Sequence, residues 1–269
     1  MYTHTNIRKP VVAGSFYPAE EDQLDKDVDC FLEDSQISAF NHQPLALIVP
    51  HAGYIYSAPV AASAYKQLEA YAEQITRVVL LGPSHRIPFL GIASSSKSYF
   101  ATPLGDVLLD KAAADQVNQL DFVHEYDEAH AYEHSLEVQL PFLQKSLKQF
   151  SLLPLVIGQA TNEQVSKVID LLWDEQHTLF LISSDLSHYL SYNAAKQCDQ
   201  ATCQAIEQLQ PEKIEYEQAC GRIGVSGMLL AARRHHLQVK TLDLRNSGDT
   251  AGPRDQVVGY GSWVFYKDE

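Results

Sequence analysis

Residues 45–54 read LALIVPHAGY, an apolar run that ends in a proline and a histidine. The run Leu45–Val49 is typical of a buried β-strand. Pro50 ends it, because proline has no backbone N–H to offer to a sheet. His51 and Gly53 follow at once. A side chain that binds metals and titrates near neutral pH therefore stands where the strand stops.

Short apolar runs alternate with longer amphipathic segments along the rest of the chain. Strands are predicted at Leu45–Val49, Arg77–Leu81, Leu90–Ser94, Leu152–Ile157, Thr178–Ser183, Val239–Leu244 and Val257–Tyr266. Helices are predicted at Pro59–Ala70, Lys111–Leu120, Ser135–Gln149, Asn162–Asp174, Ala194–Leu209, Glu212–Ala219 and Val225–His236. This alternation favours an α/β fold. We expect a single layered domain over residues 1–269, with a central, mostly parallel sheet flanked by helices.

The composition excludes several classes of function. Of the 269 residues, 45% are hydrophobic and 20% are charged, as in a globular protein with a sizeable core. The net charge of −14 argues against binding nucleic acid, whose phosphates attract basic surfaces. No run approaches the roughly 18 to 20 apolar residues of a membrane span, and the first residues lack an apolar signal core. We expect a cytoplasmic protein whose partner is a small molecule or a peptide, without nucleic acid or membrane.

Two further apolar runs end as the first one does. One runs into LGPSH, which ends at His85, and the other runs into SSDLSHY, which contains Asp185 and His188. A lone histidine after a strand often belongs only to a loop. The carboxyl ends of parallel strands, however, meet at one edge of the sheet, where α/β proteins bind ligands. We expect these side chains and His51 to converge there, as a metal site or as an acid–base site.

Residues 130–134 read HAYEH and match a zinc-peptidase pattern. In that pattern two histidines on one helix bind Zn²⁺ and the glutamate activates water. A five-residue match arises easily by chance, and DEAHAYEHS looks more like a loop that leads into the helix predicted from Ser135. The peptidase interpretation with His130 is therefore secondary. Glu133 and His134 are expected instead at the rim of the histidine cluster.

The four cysteines are scattered and include no C-x-x-C pair, so they do not indicate a disulfide framework. Cys198 and Cys203 fall inside a predicted helix and are interpreted as buried free thiols. Cys220 differs because it stands beside Gly221, at a break between two predicted helices. A cysteine at a helix N-terminus has a lowered pKa. Cys220 is therefore a candidate metal ligand or nucleophile as well as a candidate buried thiol.

The chain resembles the Memo family, whose prokaryotic members are also called AmmeMemoRadiSam system protein B. The resemblance spans nearly the whole chain and rests on fragments that occur in order: AGSFYP (13–18), PHAGYIYSAPVAASAY (50–65), LGPSH (81–85), EHSLEVQLPFL (133–143), SSDLSHY (183–189), CGRIGV (220–225) and GYGSW (259–263). Any one fragment is weak, but all of them together are specific. The resemblance implies a fold similar to that of class III extradiol ring-cleaving dioxygenases, which use non-haem iron(II).

The resemblance also implies roles for individual residues. The positions of the metal ligands match His51, His85 and Cys220. Iron(II) is the metal implied, with copper or zinc as alternatives. His188 would be the general acid or base with Asp185 three residues before it, and His134 would be a donor on the substrate side.

A cysteine at the third ligand position departs from the dioxygenases, in which a carboxylate completes the two-histidine triad. A thiolate donates more charge and would change the redox behaviour of the metal. Two functions therefore stay open. One is a metal-dependent, dioxygenase-like oxidoreductase, and the other is a non-catalytic protein that holds a metal or a phosphorylated peptide in the same pocket. The family name further implies a radical-SAM protein as a partner.

Overall fold

Nine strands form the central sheet within the residues that the computed structural model describes, which are 6–35 and 41–268. The predicted domain over 1–269 also includes residues 1–5, 36–40 and 269, which lie outside the described residues. A second, three-stranded sheet contains β1, β5 and β6 of the following set. The strands are, in chain order, β1 (Ile7–Arg8), β2 (Ala46–Val49), β3 (Arg77–Pro83), β4 (Ile92–Ser94), β5 (Tyr99–Thr102), β6 (Gly105–Leu108), β7 (Val123–Glu125), β8 (Ser151–Ile157), β9 (Thr178–Ser183), β10 (His188–Leu190), β11 (Gln238–Asn246) and β12 (Val257–Tyr266).

Helices connect most of these strands. They are α1 (Glu21–Asp34), α2 (Tyr54–Tyr65), α3 (Lys111–Val117), α4 (Asp127–Ala131), α5 (Leu140–Ser146), α6 (Asn162–Leu171), α7 (Tyr192–Glu207), α8 (Arg222–Arg234) and α9 (Ser247–Thr250). Short 3₁₀ helices lie at Lys66–Tyr71, Glu137–Gln139, Pro211–Lys213 and Tyr216–Gln218. Within the described ranges, none of the helices combines the length and the apolar character that crossing a membrane requires.

The predicted parallel arrangement is present in the middle of the central sheet. Strands β2, β9, β3 and β8 lie side by side in that order and pair in parallel. The antiparallel neighbours β12 and β4 flank them. Val49 of β2 pairs with Ser183 of β9, so these two strands end together. The chain segments that carry His51, His85 and His188 consequently leave the sheet at the same edge.

Alternation of side chains along β3 explains why the strands read as continuous apolar runs. Val78 and Leu80 belong to one apolar layer, whereas Val79 and Leu81 belong to the layer on the other face. All four side chains are completely buried. A strand that is covered on both faces needs apolar residues at every position rather than at every second one.

The strands agree with the sequence-based prediction more closely than the helices do. β9 and β12 have the predicted bounds, whereas α2 begins at Tyr54 and holds the predicted starting residue, Pro59, in its interior. The predicted helix Glu212–Ala219 is wrong, because that segment forms two separate 3₁₀ turns. Only Ile214 and Ala219 are buried in it, so it has no continuous apolar stripe with which to pack as a helix.

The N-terminal elements were not predicted from the sequence. α1 buries Leu24 and Val28 fully, and most of its other residues are acidic or polar. Leu24, Val28, Phe31 and Leu32 nevertheless have the spacing of an amphipathic helix, so a detectable signal was present. β1 has two residues and becomes a strand only because it pairs with β5. Of the two, β1 lies close to the candidate site, because Arg8 donates to the carbonyl of Glu133.

Candidate metal centre

Three histidines meet at the edge where β2 and β3 end. One ring nitrogen from each of His51, His85 and His134 lies within 4.8 Å of the others. The ring centroids are 5.2 Å apart for His51 and His85, 5.5 Å for His51 and His134, and 4.7 Å for His85 and His134. His51 is buried, His134 is half-buried and His85 faces the solvent. The arrangement fits a group of neutral imidazoles around one metal ion.

The hydrogen bonds of His51 fix its tautomer. Its Nδ1 lies 2.8 Å from the Ser183 hydroxyl, which donates its own proton to the carbonyl of Ser135 at 2.6 Å. Because that proton is already committed, the hydroxyl accepts from Nδ1–H of His51. The Nε2 of His51 therefore carries a lone pair that is free to bind a metal. Oriented imidazoles of this kind are usual in metal sites.

Glu133 fixes His85 in the same way. Its Oε1 lies 2.9 Å from Nδ1 of His85, and its Oε2 accepts from the backbone N–H of His85 at 2.6 Å. The backbone N–H groups of His134 and Ser135 donate to Oε1, each at 2.9 Å. Burial acts to raise the pKa of Glu133, but the hydrogen bonds from His85 and Ser135 hold it at about 2. A carboxylate can only accept, so Nδ1 of His85 donates and Nε2 is left for a metal.

His134 completes the group of three rings. Burial lowers its pKa to about 4, since the nearby Glu133 only partly offsets the loss of water and the neighbouring His85. Burial also places the pKa of His51 well below its usual value. Both rings are therefore neutral at pH 7, which is the form that binds metals. The Nδ1 of His134 is buried and lies 3.3 Å from Oε1 of Glu133, without the geometry of a hydrogen bond.

Cys220 approaches the group from the side of His51. It lies immediately before Gly221, the N-cap of α8, as the sequence predicted. Its Sγ lies 3.2 Å from Nε2 of His51, although Cys220 is outside the group whose ligand atoms all lie within 4.8 Å. Without a metal, burial and the nearby Asp185 raise the pKa of the Cys220 thiol to about 12. The lowered pKa expected at a helix N-terminus is therefore wrong for the metal-free protein, because burial outweighs the helix dipole.

In metal-free protein, the thiol of Cys220 should therefore react slowly with alkylating reagents. A rise in pKa from 9.0 to about 12 reduces the thiolate fraction at pH 8 about a thousandfold, and thiolate is the form that reacts. Cys30 is exposed and serves as an internal reference. Iodoacetamide labelling followed by peptide mass spectrometry should modify Cys30 first, and the Cys220 rate should keep rising above pH 10. Equal rates at pH 8, or a plateau below pH 9, would contradict this assignment.

Asp185 lies beside the cluster, as the strand-end pattern predicted, but the convergence predicted for His188 is wrong: the third ring of the group is His134, which was expected only at the rim. Oδ1 of Asp185 accepts from the backbone N–H of His51 at 2.7 Å, and burial raises the pKa of Asp185 to about 7. His188 begins β10 and is half-buried. Burial lowers its pKa, and its charge would act on His51. Asp185 can therefore gain or lose a proton near neutral pH, whereas His188 is neutral at pH 7, and the predicted catalytic roles of both stay predictions.

The zinc-peptidase pattern does not form a site. α4 ends at Ala131, so His130 and His134 do not share a helix. His130 is buried, its Nε2 lies 3.1 Å from the carbonyl of Ala93, and its ring packs against Phe100. The Glu133 carboxylate is hydrogen-bonded to His85, so it is not placed to activate water as the pattern requires. The five-residue match is therefore a coincidence of composition.

The residues that orient the cluster were not predicted from the sequence. Gln139 donates to both the carbonyl of Pro50 and the hydroxyl of Ser183, each at 2.9 Å. Tyr65 in turn donates to Oε1 of Gln139 at 2.7 Å. The one signal in the sequence was position, because Ser183 is the polar last residue of β9 and follows the apolar run Leu179–Ile182. A buried amide such as Gln139 leaves no pattern in a single sequence.

The chain is similar over nearly its whole length to one family model and to several known proteins. A family model described as Memo-like protein matches residues 8–264. The chain is 35% identical to a MEMO1 family protein of Aquifex aeolicus, over 96% of this chain and 99% of that protein. It is 34% identical to a MEMO1 family protein of Aeropyrum pernix, over 94% of this chain and 98% of the relative. A MEMO1 family protein of Methanosarcina barkeri is 35% identical, over 96% and 99% of the two chains.

Proposed function

Because this chain belongs to the Memo family, we propose that it is a metal-dependent oxidoreductase with a mononuclear, non-haem iron site. The observation that carries the proposal is the convergence of three imidazoles whose nitrogens lie within 4.8 Å of one another. Two of them, His51 and His85, are held by hydrogen bonds at Nδ1, which leave the lone pair on Nε2. Such an arrangement serves a metal ion better than it serves the packing of a core, which does not need oriented lone pairs.

We assign the metal to the two oriented imidazoles and the neighbouring sulfur. These ligands are His51, His85 and Cys220. In the metal-free protein the thiol donates its proton toward Nε2 of His51, and a cation at the same place would displace that proton. A bound ferrous ion would supply one-electron redox chemistry that none of these side chains has.

The remaining side chains handle protons and position a substrate. Asp185, with its pKa near 7, can hold a proton or release it at physiological pH, and it also fixes the backbone at His51. His188 is neutral at pH 7 and can accept a proton. His134, also neutral, can donate a hydrogen bond to a group bound between the three rings or accept a proton from it. Together these residues give an acid–base set on one side of the metal ligands.

Oxygen uptake by iron-loaded protein tests the catalytic part of the proposal. Protein purified and loaded with Fe²⁺ without oxygen should consume oxygen in an electrode cell with at least one compound of a catechol panel. Uptake should fall to the background in His51→Ala. His124→Ala is the matched control, because His124 is exposed on β7 and away from the three-ring group. Uptake that survives in His51→Ala would contradict the proposal.

A non-catalytic metal-binding protein is the second candidate function. The observation that favours it is the ligand set, since the acidic side chain closest to the rings, Glu133, already has both oxygens engaged. A thiolate would stand where the related dioxygenases have a carboxylate. Retention of iron by wild-type protein without oxygen uptake for any compound of the panel would favour this function. Gain of uptake in Cys220→Asp would then show that the pocket is otherwise competent.

A further inference from the structure

One segment of the chain, residues 130–139, helps to position all three histidines of the cluster. Its Glu133 side chain holds His85, and the carbonyl of Ser135 accepts from the Ser183 hydroxyl that orients His51. The segment also carries His134 itself. Except for α4 and a 3₁₀ turn it has no regular structure of its own. Its position therefore depends on contacts with other parts of the fold.

Arg8 provides the charged anchor of this segment. Its Nε donates to the carbonyl of His130 at 2.9 Å, its Nη2 to the carbonyl of Glu133 at 2.7 Å, and its Nη1 to Oε2 of Glu137 at 2.5 Å. One guanidinium thus binds the start, the middle and the far part of the segment. Arg8 is 6% exposed and Glu137 is completely buried, so water does not compete for these bonds.

Glu137 links the same segment to the residues that follow β1. Its carboxylate accepts from the backbone N–H groups of Val11 and Val12 at 2.9 Å and from the Tyr17 hydroxyl at 2.6 Å. Phe16, which precedes Tyr17, packs against His134, with the two ring centroids 4.8 Å apart. A buried charge with this many donors is fully satisfied, and such networks favour a single local structure.

We infer that Arg8 is a positioning residue for the metal centre. It has no hydrogen bond to the three rings, but it binds the backbone carbonyls of His130 and Glu133 and the side chain of Glu137, on either side of His134. The inference rests on the proposed metal binding, and it does not depend on turnover. A lysine cannot take its place, because a single ammonium does not reach three acceptors in the planar geometry of a guanidinium.

The test compares Co²⁺ binding by wild-type protein, Arg8→Lys and Arg8→Met, followed by visible absorption. Arg8→Lys keeps the charge opposite Glu137 but loses the bonds to two carbonyls, so its Kd should rise about tenfold and its ligand-field spectrum should change. Ile206→Ala is the control for stability alone, because Ile206 is completely buried at the far end of α7. It should lower the melting temperature and leave Kd and spectrum unchanged.

The inference is overturned if both Arg8 variants bind Co²⁺ with wild-type affinity and spectrum, or if Ile206→Ala weakens binding as much at an equal loss of melting temperature. If Arg8→Met does not fold, Arg8→Lys alone decides. If wild-type protein binds no Co²⁺, the proposed function fails instead. The ¹⁵N shifts of the imidazoles in wild type and Arg8→Lys then decide, because a loosened segment should mix the tautomers of His85, whereas unchanged tautomers would refute the role of Arg8.

Discussion

Replacing Glu133 with alanine is expected to weaken metal binding about a hundredfold and to lower the free energy of unfolding by about 4 kcal/mol. The carboxylate accepts from Nδ1 of His85 and from three backbone N–H groups, those of His85, His134 and Ser135. Alanine would leave these donors buried without an acceptor, and the His85 ring would lose its fixed tautomer. The measurements are metal affinity by competition with a chelator and unfolding in urea.

The stability of the protein at acid pH provides a second test of the role of Glu133. Glu133 has a pKa of about 2 in the folded protein against an ordinary 4.5, so its carboxylate stabilises the fold above pH 4.5. That contribution, about 3 kcal/mol, should disappear as the pH falls from 4.5 toward 2. The loss should be absent in metal-free Glu133→Ala. Glu128→Ala, which removes an exposed carboxylate from α4, should behave as wild type. Parallel acid profiles for Glu133→Ala and wild type would refute this role.

The strand-end part of the site could be predicted from the sequence because it follows from the sheet alone. Apolar runs of similar length end at Val49, Leu81 and Ser183, and the parallel pairing of their strands brings the residues after them to one edge. That rule needs no knowledge of the loops. It placed His51 and His85 correctly beside each other.

The other side of the site depends on contacts that the sequence does not encode locally. His134 comes from a segment that is held by side chains from several elements, among them Arg8 on β1 and Ser183 on β9. The helix predicted from Ser135 begins only at Leu140, after a 3₁₀ turn. At the predicted start, the backbone N–H groups of His134 and Ser135 are bound by the side chain of Glu133. Such capture of backbone donors by a buried side chain has no periodic signal.

The position of Cys220 lies between these two cases. A cysteine beside glycine at the start of α8 was recognisable, and the structure places its sulfur 3.2 Å from His51. Its protonation was not recognisable, because the pKa depends on burial and on Asp185, which are tertiary features. The same limit applies to Asp185, whose pKa is raised to about 7 by burial. Sequence patterns thus identify candidate donors but not their charge states.

Removal of His51 should have the largest effect on metal binding of any single substitution. Its imidazole is completely enclosed, its Nδ1 is committed to Ser183, and its Nε2 faces both the other rings and the sulfur of Cys220. No neighbouring side chain can replace a buried nitrogen at the centre of the group. His51→Ala should therefore lose bound iron while it keeps most of its fold. Cys220→Ser should lose iron too, with Cys198→Ser as the control from a half-buried thiol on α7.

Elemental analysis of protein purified without oxygen is the most direct test of the metal centre. The wild type and His124→Ala should contain about one iron per chain after loading with Fe²⁺, and His51→Ala less than about a tenth of that amount. His134→Ala should retain its iron, because we assign that ring to the substrate side. Wild-type protein without bound metal, or His51→Ala with a full complement of iron, would contradict the proposal that these strand ends form a metal site.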